Sequence, residues 1–256
     1  MNAIIAWLVD PARWQGNRGI VNRLTEHLQY SALSLLIAAA IAVPLGILVG
    51  HTGRAQWTVT VANSLRAVPS LGLLFAVAMF VGPRITSNLA FVIPSIVVLV
   101  LLGVPPILSG TYAGINEVEP AARDAARGMG MTGGEVLRKV EAPCALPLFM
   151  SGLRSASLQV IATATIAASV SLGGLGRFLI DGLAVSDYAQ MAGGALLVAL
   201  LALAVDGILA VVQRLVVSPG LTGKFRDSKR VDETNVGRTL VPAAADRAVT
   251  EKREFA

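Results

Sequence analysis

Residues 118–143 read VEPAARDAARGMGMTGGEVLRKVEAP. This loop is rich in small residues, carries charges of both signs and lies between long, nearly continuous hydrophobic stretches. A compact, helix-patterned, basic loop between hydrophobic stretches predicts a membrane chain that presents the loop to a soluble partner. The function therefore depends on what the loop engages.

The composition of the whole chain is that of a polytopic helical membrane protein. Of its 256 residues, 54% are hydrophobic and only 14% are charged, and the mean hydropathy is +0.68. That is too little charge for the surface of a soluble domain of this length. The net charge of +5 is explained by orientation in the bilayer, so no nucleic-acid partner is predicted. One cysteine and two distant histidines offer neither a disulfide nor a metal-ligand motif.

Five stretches are long enough for helical spans, which need roughly 20 apolar residues. They cover about residues 30–50, 57–81, 89–112, 146–170 and 188–217, and the second contains the interruption Arg66-Ala67-Val68-Pro69-Ser70. The sequence thus predicts an all-α membrane protein with five core spans, or six if the N-terminal run is counted. Asp10 and Pro11 cut that run short, so residues 1–29 are expected to be an interfacial lead-in with Trp7 at headgroup level. Residues 218–256 are expected to be a disordered, charged cytoplasmic tail.

The lysines and arginines orient these spans. With loop 118–143 in the cytoplasm, the cytoplasmic side carries fourteen of them, eight in the tail, and the outer side carries five. Without the tail the bias is six against five. The positive-inside rule therefore places the loop and the tail in the cytoplasm and the N-terminus outside.

The first half of the loop has the signals of a short helix. Pro120 suits the first helical position after Glu119, and Gly128 and Gly130 end the pattern. Two pairs have the spacing of helix neighbours, namely Glu119–Arg123 and Asp124–Arg127. The remaining face is small and smooth, formed by Ala121, Ala122, Ala125, Ala126 and Met129.

The second half of the loop predicts another short helix. Thr132 and Glu135 have the spacing of a capping box, which opens the helix EVLRKVEA, and Pro143 is expected to stop that helix before the fourth span. Two short helices at an angle, the first without bulky side chains, fit a groove on another protein. The alternative is a pair lying on the bilayer surface, although interfacial helices usually carry larger apolar residues than alanine.

The loop resembles the EAA loop of bacterial ABC-importer permeases. The corresponding residues are Asp124-Ala125-Ala126, then Gly130, then Val140-Glu141-Ala142-Pro143, with the spacing of that family. The family has Glu-Ala-Ala, then glycine, then Ile-x-Leu-Pro, so Val140 replaces isoleucine, Ala142 replaces leucine, and Glu141 stands at the position that the pattern leaves open. Asp124 stands where the family has glutamate, which is longer by one methylene, so a contact reached by glutamate could be lost or moved. Four more stretches resemble the osmoprotectant branch, which takes glycine betaine, carnitine and choline: residues 63–72, 110–115, 126–132 and 171–177.

The resemblance implies a permease subunit with the MetI-like type I ABC importer fold in a bacterial inner (cytoplasmic) membrane. This chain would not be an enzyme and would bind no cofactor, since it has no Gly-x-x-x-x-Gly-Lys-[Ser/Thr] phosphate loop; ATP-Mg would bind to two cytoplasmic ATPase subunits. A second permease, identical or a sister subunit, and an extracytoplasmic solute-binding protein would complete the importer. The residues implied in ATPase coupling are Glu119, Ala121, Ala122, Asp124, Ala125, Ala126, Arg127, Gly130, Thr132 and Glu135.

Other functions stay open at this point. A permease for methionine or another amino acid would share the same loop. A non-ABC carrier or channel would spread ionisable residues through several spans and would need no partner loop. An assembly protein would leave the capped loop unexplained.

A few residues inside or beside the spans are candidates for the translocation path or its gate: Arg66, Pro69, Ser70, Gly173, Gly174 and Asp206. Charges within spans are costly and usually face a cavity or a partner. Arg66 either lines the path or pairs with backbone carbonyls near the inner end of its span. Asp206 either attracts a cationic solute or pairs with Arg154. The glycine pair forms either a gate or a simple turn.

Overall fold

The computed structural model describes residues 2–85, 88–170 and 172–217, and these residues form helices and turns without a β-strand. The chain divides into two units, residues 1–217 and residues 218–256. The second unit is the expected cytoplasmic tail, which lies outside the described residues. The predicted all-α fold is confirmed for the described part.

Ten α-helices follow one another in the described part of the chain. They are α1 (Asn2–Val9), α2 (Ile20–Thr52), α3 (Trp57–Ser64), α4 (Ser70–Val81), α5 (Val92–Asn116), α6 (Pro120–Gly128), α7 (Gly133–Val136), α8 (Ala142–Ala167), α9 (Gly176–Val185) and α10 (Tyr188–Val216).

Four helical stretches are long and apolar enough to cross a membrane, and they are α2, α5, Gly133–Val170 with α8 inside it, and α10. The bent pair of α3 and α4 makes a fifth if it counts as one span, in agreement with the five predicted core spans. α2 begins at Ile20, ten residues before the predicted span. Its 33 residues are about 50 Å long, whereas the hydrocarbon core is about 30 Å thick, so α2 extends beyond the bilayer core.

The helix α5 lies at the centre of the bundle, where it packs against α2 and α8 and is the most buried span. Glycines bring these backbones together. A Cβ on Gly46 or Gly50 of α2 would lie 2.7 or 2.9 Å from side chains of α5, and one on Gly110 or Gly114 of α5 would lie 2.7 Å from carbonyl oxygens of α8. Both pairs are four residues apart, which is the small-xxx-small pattern of closely packed membrane helices.

The interruption predicted in the second span is present as a sharp break. The helical segments Trp57–Ala67 and Ser70–Arg84 meet at 97°. A 3-10 turn ends the first segment, Val68 is extended, and Pro69 precedes the first residue of α4. Proline has no N–H and disfavours helix in the residue before it, so the break lies where the chemistry of Val68-Pro69 requires it.

The prediction that Pro143 stops the second helix of the loop is wrong. The segment Leu137–Glu141 forms a π-helical turn that joins α7 to α8 without a break. The wider turn directs the Ala142 N–H to the Leu137 carbonyl, five residues back. Pro143 follows directly as the second residue of α8, and the shifted hydrogen bonding of the π-helical turn accommodates its missing N–H.

Trp7, which was expected at headgroup level, is buried inside the protein. Its ring packs edge-on against Phe178 with centroids 5.3 Å apart, and Gly193 of α10 leaves room for it. The lead-in helix α1 is therefore fixed to α10 and α9 by an aromatic contact, whereas Trp14 remains exposed.

Candidate functional site: the coupling segment and the intramembrane polar groups

Residues 118–143, hereafter the coupling segment, begin with α6. Glu119 lies at the N-cap and Pro120 at the first helical position, as predicted. Only Ala126 of this helix is buried, and Met129 just beyond it is 72% exposed. Five predicted coupling residues of α6 are exposed, namely Ala121, Ala122, Asp124, Ala125 and Arg127. The helix thus presents a free surface of small side chains.

Gly130 ends the first half of the segment with a left-handed backbone. Its φ is +84°, which favours glycine because a Cβ is strained there. The N–H of Met131 returns to the Ala126 carbonyl, and the N–H of Met129 to the Ala125 carbonyl, so the last carbonyls of α6 are satisfied. A Cβ on Gly130 would meet nothing within 4 Å. Backbone conformation alone therefore accounts for this glycine.

The predicted capping box is formed. The Glu135 carboxylate accepts hydrogen bonds from the backbone amide and the hydroxyl of Thr132, each at 3.0 Å, and lies 3.0 Å from the Lys139 ammonium. These residues project beyond the bilayer core, because the 38-residue helical stretch Gly133–Val170 is about 57 Å long. The hydrogen bond from the Thr132 amide and that from Lys139 lower the pKa of Glu135 to about 2.

Arg123 does not make the ion pair predicted from helix spacing. Its Nε instead lies 2.9 Å from Oε1 of Glu141, although the N–H is not aligned for a hydrogen bond. Its Nη2 donates to the Ile115 carbonyl at the end of α5. The other predicted pair, Asp124–Arg127, is present at 3.8 Å on the exposed surface.

Glu141 is the residue of this site that the sequence did not reveal. Its side chain is 1% exposed, and its Oε2 lies 2.6 Å from Nδ1 of His51 in the last turn of α2. One buried carboxylate thus contacts α2 and α6 from the π-helical turn. A buried charge is expensive unless paired, but the partners lie 18 and 90 residues away in sequence. The only available signal was a lone acid in an otherwise basic and apolar stretch.

Asp206 is joined to Arg154 by two parallel hydrogen bonds of 2.8 Å, Nε to Oδ1 and Nη2 to Oδ2. Arg154 also donates to Gln213, whose amide donates to the Pro147 carbonyl. The two ionic side chains are 33% and 27% exposed. Of the two interpretations of Asp206, the structure contains the pair with arginine, which ties α10 to α8.

Arg66 lies in the broken span, next to Pro69 and near Ser70. Its side chain is exposed, and within residues 2–85, 88–170 and 172–217 it has neither a hydrogen bond nor an ion pair. Pairing of Arg66 with backbone carbonyls, one of the two interpretations above, is therefore not observed among these residues. The guanidinium is exposed on the surface of the bundle at the break.

The glycines Gly173 and Gly174 pack against the N-terminal part of α2. The Gly174 amide donates to Oε2 of Glu26 at 2.8 Å, and the same oxygen lies 2.9 Å from Arg23. A Cβ on Gly173 would collide with the Glu26 carboxylate, and Gly174 has a φ of +88°. These glycines hold a close contact between α2 and the end of the fourth span.

The described residues hold no group of three His, Cys, Asp or Glu side chains arranged for a metal ion.

Residues 42–218 match the family described as "binding-protein-dependent transport system inner membrane component". The glycine betaine/carnitine/choline transport system permease protein OpuCB of Bacillus subtilis is 35% identical over 213 residues, 82% of this chain and 94% of that one. The osmoprotectant import permease protein OsmW of Salmonella typhimurium is 35% identical over 80% of this chain and 95% of that one.

Solved structures give the same fold. A chain of the inward-facing MetNI methionine ABC transporter superposes with a TM-score of 0.68 at 21% identity, covering 84% of this chain and 98% of that one. A chain of an amino acid ABC transporter with histidines gives 0.61 at 19% identity, covering 76% and 92%. The sequence match over most of the bundle and the shared helical fold lead to one conclusion: this chain belongs to the family of inner membrane components of binding-protein-dependent transport systems.

Proposed function

We propose that this chain is the transmembrane permease subunit of an ATP-driven ABC importer for a quaternary ammonium osmoprotectant such as glycine betaine, choline or carnitine. The observation that carries the proposal is the exposed, glycine-terminated α6, set on a capped helix that continues into the fourth span. Such a surface fits a groove on a soluble partner. The names of relatives at 33–35% identity supply the solute class.

The energy would come from two cytoplasmic ATPase subunits, which would hold ATP-Mg, while this chain would bind no cofactor. Each subunit would grip one α6, and a second permease, identical or a sister, would supply the other. Closure of the ATPases would then move α6 and, through the continuous helical stretch Gly133–Val170, the fourth span. A rigid connection is what such a transmission needs, and the π-helical turn at Leu137–Glu141 keeps that helix unbroken.

The orientation follows from the positive-inside rule. In a bacterial inner membrane the coupling segment and the C-terminal tail would face the cytoplasm, and the N-terminus would lie outside. An extracytoplasmic binding protein would deliver the solute near the outer contact of Gly173 and Gly174 with α2. The exposed break at Arg66, Pro69 and Ser70 would face the path or the second permease, because irregular backbone is tolerated only against protein or water.

A permease for methionine or another amino acid is the second candidate. The solved amino acid transporters support it only through the fold, at 19–21% identity, whereas the sequence relatives carry osmoprotectant names. The two candidates differ in the solute that crosses the membrane.

Uptake measurements distinguish the osmoprotectant permease from the amino acid permease. The chain is produced with its copurifying ATPase and binding protein in cells without other osmoprotectant uptake, and labelled glycine betaine, choline, carnitine and methionine are offered separately. We expect ATP-dependent uptake of at least one of the first three and none of methionine. Uptake of methionine alone would refute the osmoprotectant proposal.

Docking is tested in the same cells by replacing Ala122 and Ala125 with tryptophan, which fills the exposed small-residue surface. We expect the ATPase to be lost from the purified complex. Intact association would contradict docking through α6.

A further inference from the structure

Glu141 is a buried charged group to which the coupling mechanism above gives no part. It lies in the π-helical turn between α7 and α8 and is 1% exposed. Its two oxygens contact different helices: Oε1 lies 2.9 Å from Arg123 on α6, and Oε2 lies 2.6 Å from His51 at the end of α2. One side chain therefore connects three elements that are separate in sequence.

Few other contacts hold α6 to the bundle. Among its residues only Ala126 is buried, and an alanine offers little apolar area. Arg123 is the one side chain of this helix that points inward to a charged partner; its second contact is the Ile115 carbonyl at the end of α5. Besides the chain on either side of α6, Arg123 is therefore a side-chain connection through which a displacement of α6 reaches the bundle.

His51 extends the connection to the first span. Besides its contact with Glu141, its Nε2 would lie 3.8 Å from a Cβ on Gly133, the first residue of α7. The imidazole therefore lies against both the start of α7 and the π-helical turn. His51 belongs to α2, in which the neighbouring Val49 and Gly50 pack on α5.

We infer that Glu141 is a positioning residue for energy coupling: it fixes α6 to α2 and α8, so that movement of α6 displaces both spans together. This inference rests on the proposed function and adds a residue that the EAA-type pattern leaves unspecified. Low-dielectric surroundings strengthen the Arg123–Glu141 ion pair and the hydrogen-bond contact with His51, and loss of the carboxylate charge leaves Arg123 without its charged partner. α6 would then be held less firmly against α2 and α8, and less of its movement would reach the spans.

The test uses the complete transporter in proteoliposomes, with its ATPase and binding protein, ATP inside and labelled glycine betaine outside. In the Glu141→Gln variant the amide keeps the size of the side chain but not its charge. We expect the ATPase to remain bound and to hydrolyse ATP, while the solute moved per ATP falls about tenfold, within the 5–150-fold range typical of coupling between sites. A merely structural role would lower hydrolysis and transport in the same proportion.

Glu117→Gln is the matched control, because Glu117 is an exposed carboxylate just before the coupling segment and is not among the predicted coupling residues. Its ratio of transport to hydrolysis is expected to equal that of the wild type. Glu141→Asp, which keeps the charge, is expected to recover part of the lost coupling. If Glu141→Gln does not assemble, Glu141→Asp and Arg123→Lys are measured instead, and each is expected to lower the ratio at full ATPase binding.

A wild-type ratio in Glu141→Gln, or in both substitutes, would overturn the inference while leaving the proposed function intact. A wild-type chain that binds no ATPase would refute the proposed function itself, so the two failures are distinct.

Discussion

Replacing Gly152 by alanine tests the helix crossing on which the coupling segment depends. Gly152 of α8 faces Gly110 of α5, and these two helices lead into and out of the segment. A Cβ on Gly152 would lie 2.5 Å from the Pro106 carbonyl oxygen and 3.1 Å from the Gly110 Cα. Both obstacles are backbone, so no side chain can rotate away.

The expected loss of folding stability in Gly152→Ala follows from the steric overlap of the new methyl group. Ordinary van der Waals contact begins at 3.4 Å, so the new methyl group is about 0.9 Å too close to the carbonyl oxygen. The helices must separate by about that distance, which loosens the neighbouring contacts. Overpacking of this kind costs about 1–3 kcal/mol, equivalent to an unfolding equilibrium roughly 5- to 150-fold less favourable to the folded state.

Equilibrium unfolding of the purified chain in mixed micelles with rising SDS content measures this cost. Gly207→Ala is the control, because Gly207 lies inside α10 with nothing within 4 Å of an added Cβ; alanine's higher helix propensity predicts no loss there. Equal stability of Gly152→Ala and Gly207→Ala would show that the α5–α8 approach is not tight, and the account of this crossing would be wrong.

Three further changes probe the polar groups and the coupling segment. Asp206→Asn is expected to lower uptake of cationic choline and zwitterionic glycine betaine by the same factor, because the carboxylate serves Arg154; a selective fall for choline would instead indicate attraction of the solute. Gly130→Ala is expected to weaken ATPase copurification through a backbone strain of about 1–2 kcal/mol, whereas Gly128→Ala, which is helical and open, should have no effect; equal losses would contradict the backbone argument. Thr132→Ala is expected to speed hydrogen exchange of the α7 amides about fivefold, the factor for a lost cap of about 1 kcal/mol. Because the pKa of Glu135 is lowered, the stabilisation of α7 by the capping box is present at neutral pH and is lost only as the pH falls toward 2. Amide hydrogen exchange at pH 7 that is unchanged in Thr132→Ala would refute this prediction.

Features set by local chemistry were predictable from the sequence. The break at Val68-Pro69 follows from proline's missing donor, the capping box from the spacing of Thr132 and Glu135, and the spans from their uninterrupted apolar length. Each of these depends on residues a few positions apart. The α2–α5 contact also had a readable signal, the Gly46–Gly50 spacing.

Features set by tertiary contacts were not predictable in this way. Helix spacing assigned Arg123 to Glu119, but a buried carboxylate from another turn offers a stronger partner than an exposed one four residues away. The stop expected at Pro143 failed because a π-helical turn ahead of it accommodated the missing N–H. The burial of Trp7 depends on Gly193, which is distant in sequence and leaves a space for the indole ring.

The 97° bend between α3 and α4 also affects the fate of a newly made chain. The side chains from Arg66 to Pro69 are exposed at the bend, and the first amides of α4 have no side-chain cap. Lipid offers such groups no hydrogen bonds, so a copy without its companion permease would keep an unsatisfied surface inside the bilayer. We expect quality-control proteases of the membrane to remove such orphan copies. The amount of this subunit in a cell would thereby be limited by how quickly each copy assembles with a second permease, whether identical or a sister subunit.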